Sequence, residues 1–281
     1  ADDLIVTGGT QVTVTDNVFH QASLRVSGGS AAQLVHNLFE NAGTAIVLSE
    51  GAAAAVVEHN RVLSGTNGLS IGTNGATGMT VRDNRIRVSG VGISLAAPAG
   101  GAISGNDVAG NSIALNVQAA FVGLIADNDF HHANVGIFHG SGATLSGNRV
   151  RDNATGISSA LTGTSALGFA PGIQPNEIFR NATGVQLSGN MQGQHVYQNT
   201  TGVSGSGQLV AADLDHANVI EFNGVGVNVT GPVQFNRIAR NSVGVSAASG
   251  QLIAHNLIYR NALGVGVSGN SDVRIVSNTF Y

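Results

Sequence analysis

Asn176-Glu177-Ile178-Phe179-Arg180-Asn181-Ala182-Thr183-Gly184-Val185-Gln186-Leu187 holds the plan of the chain in twelve residues. An asparagine is followed two positions later by an apolar residue and five positions later by a second asparagine. The segment then closes on glycine, apolar, any residue, apolar. Apolar residues at alternate positions point to one face of a strand, so the glycine-led segment reads as a strand. Its glycine is expected to supply the permissive backbone of a sharp corner, and Gly, Ser and Asn clusters mark the turns.

Outward from this stretch the first asparagine recurs as an anchor. It stands at Asn17, Asn37, Asn60, Asn84, Asn106, Asn128, Asn148, Asn176, Asn218, Asn236, Asn256 and Asn278, with Gln194 in the one gap, at a mean spacing of about 22 residues. Two positions after the anchors come Phe19, Phe39, Val62, Ile86, Val108, Phe130, Val150, Ile178, Val196, Ile220, Ile238, Ile258 and Phe280. At this composition an all-apolar column of that length arises by chance about once in 10⁵ trials. The position three before the anchor is apolar as well, and only Asp215 breaks that column. The Gly-apolar-x-apolar motif returns at Gly68–Ile71, Gly92–Leu95 and Gly264–Val267. A second asparagine follows its anchor by five residues at Asn111, Asn153, Asn181, Asn199, Asn223, Asn241 and Asn261 and is expected at the next turn.

One such coil cannot bury its own apolar side, but stacked coils turn each column into an interior ladder. The expected fold is all-β: a single-stranded right-handed parallel β-helix of about 13 coils, roughly 60 Å long, with residues 1–281 as one domain. An inward asparagine amide can bond to backbone and to the amides above and below it. The last coil stops in mid-repeat at Ser277-Asn278-Thr279-Phe280-Tyr281, and neither end shows a charged amphipathic cap. The chain is therefore expected to be an excerpt of a longer solenoid, or a unit that associates end to end or laterally.

The quoted stretch resembles the parallel β-helix repeat family over nearly the whole chain. That repeat is shared by pectate lyases, polygalacturonases, alginate epimerases and lyases, phage tailspikes and bacterial surface proteins. The resemblance implies a fold; it leaves scaffold and enzyme both open. For an enzyme of this fold it implies acidic, basic and His residues gathered on a lateral groove of two or three neighbouring coils.

Composition narrows the choice. The chain has 281 residues, 40 Gly, no Cys, no Trp and a net charge of -4, and all its basic residues are Arg. Nucleic-acid binding is excluded as an expectation, because it needs concentrated Lys and Arg. No apolar run is long enough to span a bilayer. Without Cys there are no disulfides and no thiolate-ligated zinc. The first residues, Ala1-Asp2-Asp3, fit a mature exported chain or an excised piece, and an extracellular or bacterial cell-surface location is expected.

Two clusters are candidate sites. Asp127-Asn128-Asp129-Phe130-His131-His132 is the denser, with His139 in the same coil and Arg149 and Arg151 one coil on. Asp129 and His131 share a strand face and suit acid–base chemistry or a carboxylate–imidazole metal site; the alternative is chance clustering. Asp213-Leu214-Asp215-His216 interrupts the repeat, and such violations concentrate at functional sites; the alternative is a surface bulge with Leu214 filling the core. Asp129, His131, Asp213 and Asp215 are the candidate metal ligands, calcium is the ion considered, and no organic cofactor is expected. The column after the anchor, Arg61, Arg85, Asp107, Asp129, Arg149, Glu177 and His195, suggests ion pairs between coils. His36, His59 and His255 precede anchors and read as turn residues, and the insertion Ala160 to Pro171 with Phe169 reads as a protruding loop.

Uronate lyase or epimerase chemistry needs a compact set of Lys, Arg, His, Tyr and Asp, whereas this chain has no Lys and 3 Tyr. Glycoside hydrolysis needs two carboxylates at a set separation, and few aromatics are left to stack on sugars. The expectation is a secreted or cell-surface scaffold, of adhesin or filament type, with a polysaccharide or cell-surface partner. The alternative is a lyase, hydrolase or C5-epimerase acting on acidic glycans.

Overall fold

The residue before each anchor decides how the chain bends. In the computed structural model, which describes residues 2–8, 11–28, 31–49, 51–72, 76–110, 112–161, 166–168, 172–268 and 272–281, that residue is left-handed at most anchors, Pro175 and Ala217 excepted: Asp16, His36, His59, Asp83, Asp127, Phe235 and His255 have φ between 55 and 58°. Asp and His tolerate this region better than most side chains. Where the position is Gly105, Gly147 or Gly193, φ is 61 to 65° at no steric cost. Histidine thus belongs at these turns, and His36 stacks on His59 with ring centroids 5.2 Å apart.

The chain divides into two compact units, Ala1–Asn148 and Arg149–Tyr281. In the first, every coil contributes three strands to three parallel faces. The first face is a seven-stranded sheet from Thr13–Thr15 to Thr144–Ser146. The second runs from Val18–His20 to Asp129–His131, and the third from Leu4–Thr7 to Val135–His139. Register is in phase with the repeat: Val14 pairs with Leu34, Phe19 with Phe39 and Leu69 with Ile93. The second unit repeats the arrangement, from Arg149–Arg151 to Thr279–Phe280 on its second face and from Thr155–Ser159 to Leu263–Val267 on its third. The all-β parallel β-helix read from the sequence is the observed fold.

The anchors form continuous amide ladders. In the first unit Asn17, Asn37, Asn60, Asn84, Asn106 and Asn128 each donate Nδ2–H to the Oδ1 of the next, ending on Asn148. The Asn106 amide uses every site it has. Its Nδ2 donates to Val81 O, Ser104 O and Asn128 Oδ1, while its Oδ1 accepts from Asn84 N and Nδ2. In the second unit Asn176 donates to Gln194 Oε1 at 2.9 Å, the backbone N–H of Gln194 donates to Asn218 Oδ1 while its Nε2 turns to Gln192 O, and Asn218, Asn236, Asn256 and Asn278 continue the ladder side chain to side chain. The second asparagines form a parallel ladder through Asn153, Asn181, Asn199, Asn223, Asn241 and Asn261. Asn111 and Phe169 lie outside the described residues.

Two local expectations change. The motif glycines do not form corners. Gly184 lies inside the strand Thr183–Leu187, and a Cβ there would stand 2.5 Å from Gly202 O and 3.0 Å from the Asn199 amide. Its column is glycine because a neighbouring coil's backbone carbonyl and an apolar side chain crowd the position, as they do at Gly68 and Gly92, with the asparagine amide added in the second unit. The interrupted coil keeps its core through Leu209, which is fully buried and pairs with Val233, whereas Leu214 is half-buried. The bulge therefore inserts after the strand.

Candidate functional site

Outward side chains of the second face lie one and three positions after each anchor, and parallel register sets them beside their counterparts in neighbouring coils. Arg85 stands opposite Asp107 and Asp107 opposite Asp129; Arg87, Ala109 and His131 form the adjacent column. Ala109 is short, so the long side chains on either side of it lean across to Asp107. Arg87 Nη2 reaches Asp107 Oδ2 at 2.5 Å and His131 Nε2 reaches Asp107 Oδ1 at 2.8 Å. Burial alone would raise the Asp107 carboxyl, but the hydrogen bonds from Arg87 and His131 outweigh it and hold the group below its ordinary range.

His131 therefore pairs with Asp107 of the preceding coil. Its other ring nitrogen, Nδ1, lies 2.6 Å from Nδ1 of His132, the rings meeting edge to face at 75°. His132 holds this pose from a left-handed backbone, φ 56°. Sequence reading grouped His131 with Asp129 and set Asp107 in the column of ion pairs between coils; it did not join Asp107 or Arg87 to His131, nor did it give the facing of His132. The signal available was Ala109, a small residue between two long ones in the third-position column, as Ala239 is between Glu221 and Tyr259.

His139 does not join this group. It lies on the inner side of the third face, in register with Val117, and is 1% exposed. Burial lowers its imidazole to about 4, the Ala143 backbone offsetting little of this, and neither ring nitrogen meets hydrogen-bond geometry with a protein partner.

Asp213, Asp215 and His216 make a local turn. Asp213 Oδ1 accepts from the backbone N–H of Asp215 and of His216 and lies 2.7 Å from His216 Nδ1. The His216 ring, and then its backbone N–H, keep the Asp213 carboxyl below its usual range. Asp215 is exposed.

In the second unit the outward face is likewise knit from coil to coil. Arg180 grips Asp152 through Nε and Nη2 at 2.9 and 2.8 Å, and Arg151 reaches the same carboxylate. Glu221 is shared by His195 at 3.3 Å and Arg240 at 2.8 Å. Phe179 and Tyr197 stack at 4.9 Å with Arg149 and Arg180 over the Phe179 ring. These rings face the neighbouring coils, and Phe179 is only 5% exposed. Burial, then Glu177, raises the Tyr197 hydroxyl. In the first unit a shallow groove on the first face is lined by Thr77, Gly78, Pro98, Ala99, Gly100, Gly101 and Val122, none of them ionisable.

The anchor repeat, the phased parallel faces and the amide ladders are those of a parallel β-helix repeat protein. The model of a family described as periplasmic copper-binding protein (NosD) matches residues 1–139, just under half of the chain. Among solved structures, the A-module of mannuronan C-5 epimerase AlgE6 of Azotobacter vinelandii matches at 12% identity and a TM-score of 0.47, covering 98% of this chain and 91% of that one. No curated protein matches the sequence. Among the described residues no helix is long and apolar enough to cross a membrane.

The copper named in that family description sets a test for the donors present. Copper takes imidazole, thiolate or thioether ligands. Cys is absent, Met79 and Met191 are buried in the core, and no three His, Asp or Glu gather among the described residues. The Nδ1 atoms of His131 and His132 lie 2.6 Å apart as a hydrogen-bonded pair, without a third donor beside them among the described residues.

Proposed function

We propose that this chain is an exported β-helical scaffold, of the surface or filament type, whose outward charges serve to bind its own coils together. The observation that carries the reading is the pairing of ionisable side chains between neighbouring coils along both units. Asp3 with Arg25, Glu58 with Arg82, Asp107 with Arg87 and His131, Asp152 with Arg180, and Glu221 with His195 and Arg240 all bridge different coils. An acid–base site needs at least one group held ready for substrate, whereas these groups already satisfy one another. The location proposed is extracellular or periplasmic, consistent with the periplasmic family that matches the first half.

The test is a panel of acidic and neutral polysaccharides, followed for unsaturated products, new reducing ends and altered uronate configuration. The scaffold reading expects no turnover of any of them. Turnover that Asp213→Asn, Asp129→Asn or His131→Ala abolishes in a folded protein would replace it with a lyase, hydrolase or epimerase.

A further inference from the structure

We propose that the first face of the first unit carries a self-complementary docking surface, on which a ridge of Val122 and Leu124 lies in the trench of a second copy of this chain. The contact goes beyond the scaffold reading, which concerns bonds within one chain, and stands whether or not the chain turns over a substrate.

Two strands of this face, Ala99–Ser104 and Phe121–Ala126, are six residues long where the others have three or four, and they pair over their whole length. Register sets Val122 beside Gly100, Gly123 beside Gly101 and Leu124 beside Ala102. Neighbours so small leave both apolar side chains standing proud, Val122 at 79% exposure and Leu124 at 40%. Beside this ridge the preceding coil forms a groove of about 620 Å³, floored by Gly100 and Gly101 and walled by Thr77, Pro98 and Val122. The fold keeps the trench open. A Cβ at Gly101 or Gly123 would stand 2.0 Å from a carbonyl oxygen of the neighbouring coil, and their φ values of 138 and 137° suit glycine alone.

A ridge running beside a trench is complementary to itself. A two-fold axis along the strands, between the rows of Gly100 and Val122, lays each ridge in the other copy's trench and sets the two first units antiparallel along their stacking direction. Ala102 then faces the partner's Leu124, and Thr80 faces the partner's Thr144. Charge favours the same occupant. The chain carries a net charge of -4, so two copies meet at least cost on a neutral surface. Thr80, Ala102, Leu124 and Thr144 stand in register across four coils without a charge, and Arg82 in the adjacent column is bonded to Glu58. Four coils and about seven residues of strand cover roughly 450 Å² on each copy, so roughly 900 Å² in all, the size of a weak, reversible contact.

The experiment follows the full chain by analytical ultracentrifugation to about 0.5 mM, where a contact of this size is populated. The expected result is a reversible monomer–dimer equilibrium. Val122→Asp weakens it by about 100-fold or more, because each copy would bury an unpaired carboxylate, and Ala102→Leu, which fills the trench, weakens it by about tenfold. Both changes lie on the outer side of the strands, and denaturation midpoints equal to the parent's show that the fold is kept. Phe222→Asn, at an exposed apolar residue of the second unit, leaves the equilibrium unchanged. The chain has no Cys, so orientation is read by introducing one. Thr80→Cys and Thr144→Cys variants, when mixed, cross-link to each other through a short bismaleimide, and neither cross-links to itself, since the antiparallel arrangement sets like residues three coil rises apart. The proposal is overturned if the chain stays monomeric, if Val122→Asp associates as the parent does, or if like residues cross-link as well as the mixed pair. A monomer that takes up an aliphatic probe and loses it in Val122→Asp also overturns it, and assigns the groove to a small apolar ligand.

Discussion

The two units make the turn after the second face differently. In the second unit it is lined by asparagines, and Asn153, Asn181, Asn199, Asn223 and Asn241 each hand an amide hydrogen to the next coil. In the first unit the corresponding described positions are Ala22, Ala42, Gly65, Ser89 and Ala133, small residues without an amide, while Asn111 lies outside the described residues. Both units keep the backbone bonds of the turn, such as Thr66 N to Ala42 O at 2.9 Å and Thr200 N to Asn181 O at 3.2 Å. The side-chain ladder is therefore an addition to a turn that the backbone already makes. What the second unit gains is a second polar spine, which couples each coil to the next at two corners.

Breaking a spine should produce the largest effect. Asn128→Leu leaves the Asn106 donors and the Asn148 acceptor without their partner in the core, at about 4 kcal/mol given 1–3 kcal/mol per buried unsatisfied group. Arg87→Ala on the same unit's surface costs about 1 kcal/mol. Equal denaturation midpoints for the two would contradict the ladder's role.

His139 comes next. Its folded imidazole is near 4 and its unfolded value is 6.5, so the unfolded chain takes up the proton first. The native state keeps its full stability above pH 6.5 and loses about 3 kcal/mol as pH falls toward 4. His139→Leu restores the aliphatic column and should flatten this dependence. A variant whose stability falls as steeply as the parent's would show that the imidazole is not the buried group responsible.

The comparison of turns is sharpened by a smaller pair. Asn199→Ala should cost about 2 kcal/mol, and Ser89→Ala in the first unit less than about 0.5 kcal/mol, because only the first removes a ladder rung. The smallest effect is expected at Asp213→Ala, within about 0.5 kcal/mol by denaturation, since its hydrogen bonds are confined to an exposed turn.

Much of this was legible because stacking puts one repeat position over itself. The anchors, the apolar columns and the second asparagines are read correctly by spacing alone. Contacts that cross columns were not legible: Asp107 meets His131 from a different repeat position, and only the register and the short Ala109 bring them together. His139 was within reach, since Gly136-Ile137-Phe138-His139 follows the Gly-apolar-x-apolar motif and assigns histidine to an inward position. Asp215 misled for the opposite reason. The insertion moved it off the column, and Leu209 already held the place.

Amide hydrogen exchange resolved along the chain tests the two-spine account most directly. The backbone N–H groups of Asn181, Asn199, Asn223 and Asn241 donate to the side-chain oxygen of the next asparagine at 2.8–2.9 Å. They should exchange more slowly, by tenfold or more for each ~1.4 kcal/mol of added protection, than those of Ala22 and Ala42, where the next coil offers no amide oxygen. Equal protection at the two sets of turns would mean that the second spine adds nothing, and the account would fail.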